Sequence, residues 1–121
     1  MSKPLALIIE DDLEIGNIIS ISLENEFETE RCMDGETALS RLAQVIPGLI
    51  VLDLHLPNVS GADIFTQIRS DTRLEKTKVI LCTADALMAD LLRNQADLIL
   101  LKPISPSQLR ELASRLISNS R

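Results

Sequence analysis

Asp53 closes Leu49-Ile50-Val51-Leu52, four aliphatic residues in a row. A carboxylate at the end of a buried run costs desolvation unless it has a partner or a task. Other reactive side chains close other apolar runs in the same way. Glu10-Asp11-Asp12 follows Leu5–Ile9, Thr83 follows Val79–Cys82, and Lys102 follows Leu98–Leu101. Asp11, Asp12 and Asp53 gathered in one place would repel, so a divalent cation is their natural occupant. A donor set of oxygens alone favours Mg2+ or Mn2+ over zinc. Lys102 can hold one phosphoryl oxygen as a point charge, and the Thr83 hydroxyl can donate to another. Asp53 is then placed to accept a phosphoryl group as a nucleophile. There is no Gly-rich loop of the P-loop kind and therefore no nucleotide cradle.

The elements that must position these residues alternate in period. Leu5–Ile9, Phe27–Cys32, Leu49–Leu52, Val79–Cys82 and Leu98–Leu101 read as strands, either continuous or alternating. Between and after them run helical stripes: Ile15, Ile18, Ile19 and Leu23; Ala38, Leu39, Leu42 and Ala43; Ile64, Phe65 and Ile68; Leu87, Met88, Leu91 and Leu92; Leu109, Leu112, Ala113, Leu116 and Ile117. Ser60 can cap the third helix, and Ser105-Pro106 is a good start for the fifth. Asp71–Thr77 reads as a charged connector. Five strands alternating with five helices imply a parallel sheet covered on both faces, with the stripes turned to the core. Ligands in such sheets bind outside the carboxyl ends of the strands, near the reversal of strand order. Asp11, Asp12, Asp53, Thr83 and Lys102 all stand at those ends, far apart in sequence.

Composition removes several classes of function. The chain has 121 residues, the size of one domain, and 45% hydrophobic residues can build a core. That core must be aliphatic, since Phe27 and Phe65 are the only aromatics. Twelve Lys and Arg against 18 Asp and Glu give a net charge of -6, which argues against direct nucleic-acid binding. No apolar run approaches a membrane span and no secretory signal opens the chain, so a cytoplasmic location is expected. Cys32 and Cys82 lie in strand-like runs and are expected as buried free thiols.

Glu10-Asp11-Asp12, the loop Asp53-Leu54-His55-Leu56-Pro57 with Gly61 beyond it, Thr83-Ala84 and Lys102-Pro103 together resemble the receiver domain of two-component response regulators. The likeness runs from about Leu5 to Ile117, and residues 1–121 read as a single receiver domain. The resemblance implies a flavodoxin-like (βα)5 sheet in strand order 2-1-3-4-5. It implies Asp53 as phosphoacceptor, with Thr83 and Lys102 on the phosphoryl group. It implies Mg2+ bound by Asp12 directly, by Asp11 mostly through water, by Asp53, and by the main-chain carbonyl of His55. The phosphoryl donor would be a histidine kinase or a phosphotransfer protein. The receiver of the signal would be a downstream protein or a covalently linked output domain. Such a domain catalyses its own phosphorylation and slow dephosphorylation and is not a turnover enzyme. The resemblance also suggests a cis Lys102–Pro103 bond.

Some positions depart from that pattern. Ile99 stands where many receivers carry Tyr or Phe, and Gln95-Ala96-Asp97-Leu98 replaces the small residues often found there. Gln108 and Leu112 stand where a Glu and an Arg support the dimers of receivers joined to winged-helix domains, so no dimer of that type is expected. Leu98 and Ile99 are expected to add apolar area to that face. The His55 imidazole reads as solvent-facing, and with Asp85 it stands where side chains tune hydrolysis in the family. Asp11 and Asp12 could instead cap the first helix, and Thr83 the fourth. Two rivals remain: a degenerate receiver serving as a constitutive scaffold, and a metal-dependent phosphohydrolase. The latter usually has a second acid where this chain has His55.

Overall fold

The computed structural model describes residues 3–118. Strands β1 (Leu5–Ile9), β2 (Glu28–Cys32), β3 (Leu49–Asp53), β4 (Lys78–Thr83) and β5 (Leu98–Leu101) alternate with helices α1 (Leu13–Leu23), α2 (Gly35–Leu42), α3 (Gly61–Ser70), α4 (Ala86–Leu92) and α5 (Pro106–Ser118). All strand pairs are parallel, in the order β2-β1-β3-β4-β5. This is the expected (βα)5 sheet. The connector after α3 holds a short 3-10 turn, Thr72–Leu74.

Period-2 geometry divides β1, β3 and β4 between two cores. Leu7, Ile9, Ile50, Leu52, Val79 and Leu81 pack with Ala38 and Leu42 of α2 and Ile64, Phe65 and Ile68 of α3. Their neighbours Ala6, Ile8, Leu49, Val51, Ile80 and Cys82 pack on the other face with Ile19 and Leu23 of α1 and Leu109 and Ala113 of α5. Burial on both faces is the reason these strands read as unbroken aliphatic runs. Both cysteines are buried and free, as expected.

Two helical stripes are only partly core. Ile18 is exposed, while Gly16 is buried with the Arg31 guanidinium packed directly on it. The apolar contact of α1 is made by Ile15, Ile19 and Leu23. On α4 only Ala89 is fully buried, with Met88 and Leu92 against the core. Leu87 and Leu91, one turn apart, are exposed at 69% and 67%. Leu98 and Ile99 pack against the two cores, so the apolar area facing out near β5 comes from Leu101 and the α4 leucines instead.

The helices start where side chains cap them. Asp12, Asp34, Ser60 and Asp85 accept hydrogen bonds from the first turns of α1, α2, α3 and α4, each satisfying an otherwise orphaned N–H. Gly61 opens α3 against the end of β3. A Cβ there would collide with the Asp53 carbonyl oxygen and the Leu54 backbone. Gly61→Ala should therefore cost about 1–3 kcal/mol, as overpacking does. Urea denaturation measures this, and an unchanged midpoint would show that α3 does not seat that closely on β3.

Candidate functional site

Backbone ladders carry the strand ends one residue further. Glu10 N–H donates to the Cys32 carbonyl at 3.1 Å, Leu54 N–H to the Cys82 carbonyl at 3.0 Å, and Lys102 N–H to the Thr83 carbonyl at 2.9 Å. Asp53 is paired in register with Cys82, and Thr83 with Leu101. The sheet thus fixes the backbone of Glu10, Asp53, Thr83 and Lys102 at one edge before any side chain is considered. Lys102–Pro103 is cis.

Lys102 Nζ lies 3.2 Å from Glu10 Oε1 and 3.2 Å from Asp53 Oδ1. Both carboxylates are buried, at 2% and 3% exposure. Asp53 Oδ1 also accepts from His55 N–H at 3.1 Å, and Glu10 Oε2 from Asp12 N–H at 3.2 Å. One carboxylate oxygen each from Glu10, Asp11 and Asp53 lies within 4.8 Å of the others. Three carboxylates against one ammonium leave two negative charges uncompensated. Burial, together with the neighbouring Asp53 charge, pushes the Glu10 carboxyl from its ordinary 4.5 up to about 7. Burial also works against the Lys102 charge, but Asp53 and Glu10 outweigh it and hold the ammonium above its usual range. Cys82, beside Asp53 in the ladder, is an inert thiol that burial pushes up to about 12.

A divalent cation suits this pocket. Its donors are all oxygens, and its uncompensated charge is that of one such ion. Glu10 Oε1 has a charge partner in Lys102 but no hydrogen bond among the described residues.

Of the predicted site residues, Asp11, Asp53 and Lys102 come together with Glu10, and Thr83 lies at the same sheet edge. Asp12 does not join them. Its Oδ1 accepts from Ile15 N–H at 3.0 Å and caps α1, so the acidic grouping contains Glu10 in its place. The sequence carried a signal for this: Asp12 directly precedes the first helical residue, which is the capping position. Glu10 still belongs to the ladder of β1 and is held at the strand end. Asp85 rather than Thr83 caps α4, accepting from Leu87 and Met88 N–H. His55 does more than face solvent, since its Nε2 lies 2.8 Å from Thr83 Oγ1. Ile99 is half-buried against the core shared by α2 and α3.

Residues 6–114 match the family model described as the response regulator receiver domain. The chain belongs to that family. It is 31% identical over 107 residues to the DNA-binding response regulator MtrA of Mycobacterium tuberculosis, which covers 85% of this chain and 46% of MtrA. It is 31% identical over 111 residues to hybrid signal transduction histidine kinase D of Dictyostelium discoideum, covering 89% of this chain and 7% of the kinase. The receiver thus spans less than half the length of these relatives. In structure it is similar to the chemotaxis response regulator CheY4 of Vibrio cholerae, with a TM-score of 0.86, 21% identity and coverage of 95% and 99% of the two chains. The BeF3-activated DrrB receiver domain is similar with a TM-score of 0.86, 25% identity and coverage of 96% and 98%. Among the described residues of this receiver no helix is long and apolar enough to cross a membrane.

The raised Glu10 value predicts a pH dependence. A carboxyl whose folded value lies above its unfolded one favours the fold fully below about 4.5. That advantage is lost as pH rises towards about 7, where the folded protein must carry the extra buried charge. In metal-free buffer, Glu10→Gln should be more stable than the parent by roughly 1–3 kcal/mol at pH 8, with the gain shrinking towards zero near pH 4.5. Urea denaturation across pH reads this directly. A variant no more stable at pH 8 would mean that Glu10 is not under charge strain.

Proposed function

We propose that this receiver takes a phosphoryl group on Asp53 and uses the modified state to switch a partner protein or output domain. The observation that carries the reading is the shared contact of the Lys102 ammonium with Glu10 and Asp53 beside the Asp11 carboxylate. Glu10, Asp11 and Asp53 would hold Mg2+, with the His55 carbonyl assigned by resemblance. Bound there, the ion supplies charge neutralisation to the carboxylates and the incoming phosphoryl oxygens.

Asp53 Oδ1 is engaged by Lys102 and by His55 N–H, so Oδ2 is assigned as the nucleophile. The donor is a phosphohistidine of a histidine kinase or phosphotransfer protein. Its N–P bond breaks as the O–P bond to Asp53 forms, and the histidine leaves with the electron pair. Lys102 stays charged and can pair with a phosphoryl oxygen, while the Thr83 hydroxyl can donate to another. Water attack on phosphorus later breaks the Asp53 O–P bond, which releases inorganic phosphate and returns the resting carboxylate. The chemistry therefore modifies the protein itself and does not define a turnover enzyme. The occurrence of receivers within a DNA-binding regulator and a hybrid kinase supports an output in a linked domain or a partner. Residues 1–121 are read as one receiver domain acting in the cytoplasm, although the ends of that range lie outside the described residues.

Acetyl phosphate with Mg2+ tests this by intact mass. One phosphoryl adduct is expected on the parent, none on Asp53→Asn, and none when the metal is chelated. A constitutive scaffold would give no adduct, and a phosphohydrolase would release phosphate continuously. Labelling that survives Asp53→Asn would remove Asp53 from its role.

A further inference from the structure

Thr83 is fully buried, and its hydroxyl has two hydrogen-bond partners among the described residues. Asp85 N–H donates to Thr83 Oγ1 at 3.0 Å, and His55 Nε2 lies 2.8 Å from the same oxygen. A hydroxyl has one proton to give, and a buried one needs an acceptor for it. Asp85 N–H is a donor and cannot serve. His55 Nε2 is the hydrogen-bond partner left for that proton, which puts the imidazole proton on Nδ1. The ring is anchored through its own backbone, because His55 N–H is tied to Asp53 Oδ1. His55 therefore links Asp53 to the Thr83 hydroxyl in the resting protein.

We infer that His55 is a positioning residue that holds the Thr83 proton away from the phosphoryl position and so sets how readily the activated arrangement forms. This rests on the phosphoacceptor reading of Asp53. One hydroxyl proton cannot bond to Nε2 and to a phosphoryl oxygen at once. Activation then exchanges Thr83 O–H···Nε2 for Thr83 O–H···O–P, with no covalent change at either residue. Removing the ring acceptor removes a bond that the resting state has and the activated state lacks, so it favours activation. A net hydrogen bond of ordinary strength corresponds to about three- to tenfold in affinity.

Beryllofluoride with Mg2+, followed by amide NMR, supplies the test on the parent, His55→Ala, His55→Gln, Thr83→Ala and the Thr83→Ala, His55→Ala pair. His55→Ala should bind beryllofluoride about three- to tenfold more tightly. His55→Gln places an amide where Nε2 stands and should stay within about twofold of the parent. In the Thr83→Ala background the His55 effect should vanish, since the coupling runs through that hydroxyl. Unchanged or weaker binding by His55→Ala overturns the inference. An equal gain without Thr83 also overturns it, because the ring would then act on the adduct directly. If the parent takes up no beryllofluoride at Asp53, the phosphoacceptor reading falls first and the exchange with it. The imidazole 15N spectrum of the resting parent at pH 8 needs no variant and no adduct. It should show a ring protonated on Nδ1, and protonation on Nε2 would overturn the inference.

Discussion

One ammonium is shared by buried carboxylates at the carboxyl ends of β1 and β3, with a third acid beside them. Isolated buried charges cost several kcal/mol each, and Lys102 alone cannot balance three acids. The remainder is a deficit that one divalent cation would match. The rest of the fold serves to maintain this imbalance. Parallel ladders hold the backbones of Glu10, Asp53, Thr83 and Lys102 in place, and two aliphatic cores hold the ladders. Stability is spent at one edge of a sheet that is otherwise close-packed, and burial makes the electrostatics there stronger than on a surface.

The surrounding acids have separate tasks set by local geometry. Asp12, one residue beyond Asp11, completes α1 as its cap, and Asp85 completes α4. Both caps lie beside the reactive edge, so the start of each helix is tied to the position of the site. Thr83 sits between these systems. Its carbonyl anchors Lys102, and its hydroxyl meets Asp85 N–H and the His55 ring. A shift of the hydroxyl would therefore disturb the start of α4. That helix displays the exposed Leu87 and Leu91, and Leu101 is exposed on β5 beside it. A route from site to surface is available without an aromatic at position 99.

The parallel sheet and its central strands were legible because burial on both faces writes unbroken aliphatic runs, as in Leu49–Leu52, while the strand order came from the family resemblance. Reactive residues at strand ends were legible because topology alone brings those ends together. Three features were not. Which acid of Glu10-Asp11-Asp12 turns inward depends on where β1 ends and α1 begins, a difference of one or two residues that periodicity resolves poorly. The exposed Ile18, Leu87 and Leu91 fit a helical stripe as well as any core residue. Their exposure depends on which elements pack over each helix face, and a single chain's pattern does not encode that. The His55–Thr83 bond spans 28 residues and joins the loop after β3 to the end of β4, so no local signal announces it.

Paramagnetic Mn2+ titrated into the 15N-labelled receiver tests the shared-charge pocket most directly, because broadening falls steeply with distance from the ion. The amides of residues 10, 11, 53, 54 and 55 should broaden first, and Mg2+ should restore them. Broadening centred instead on the exposed acids Glu24, Glu26 and Glu28, with residues 10, 11 and 53 unaffected, would contradict a cation site built on Glu10, Asp11 and Asp53.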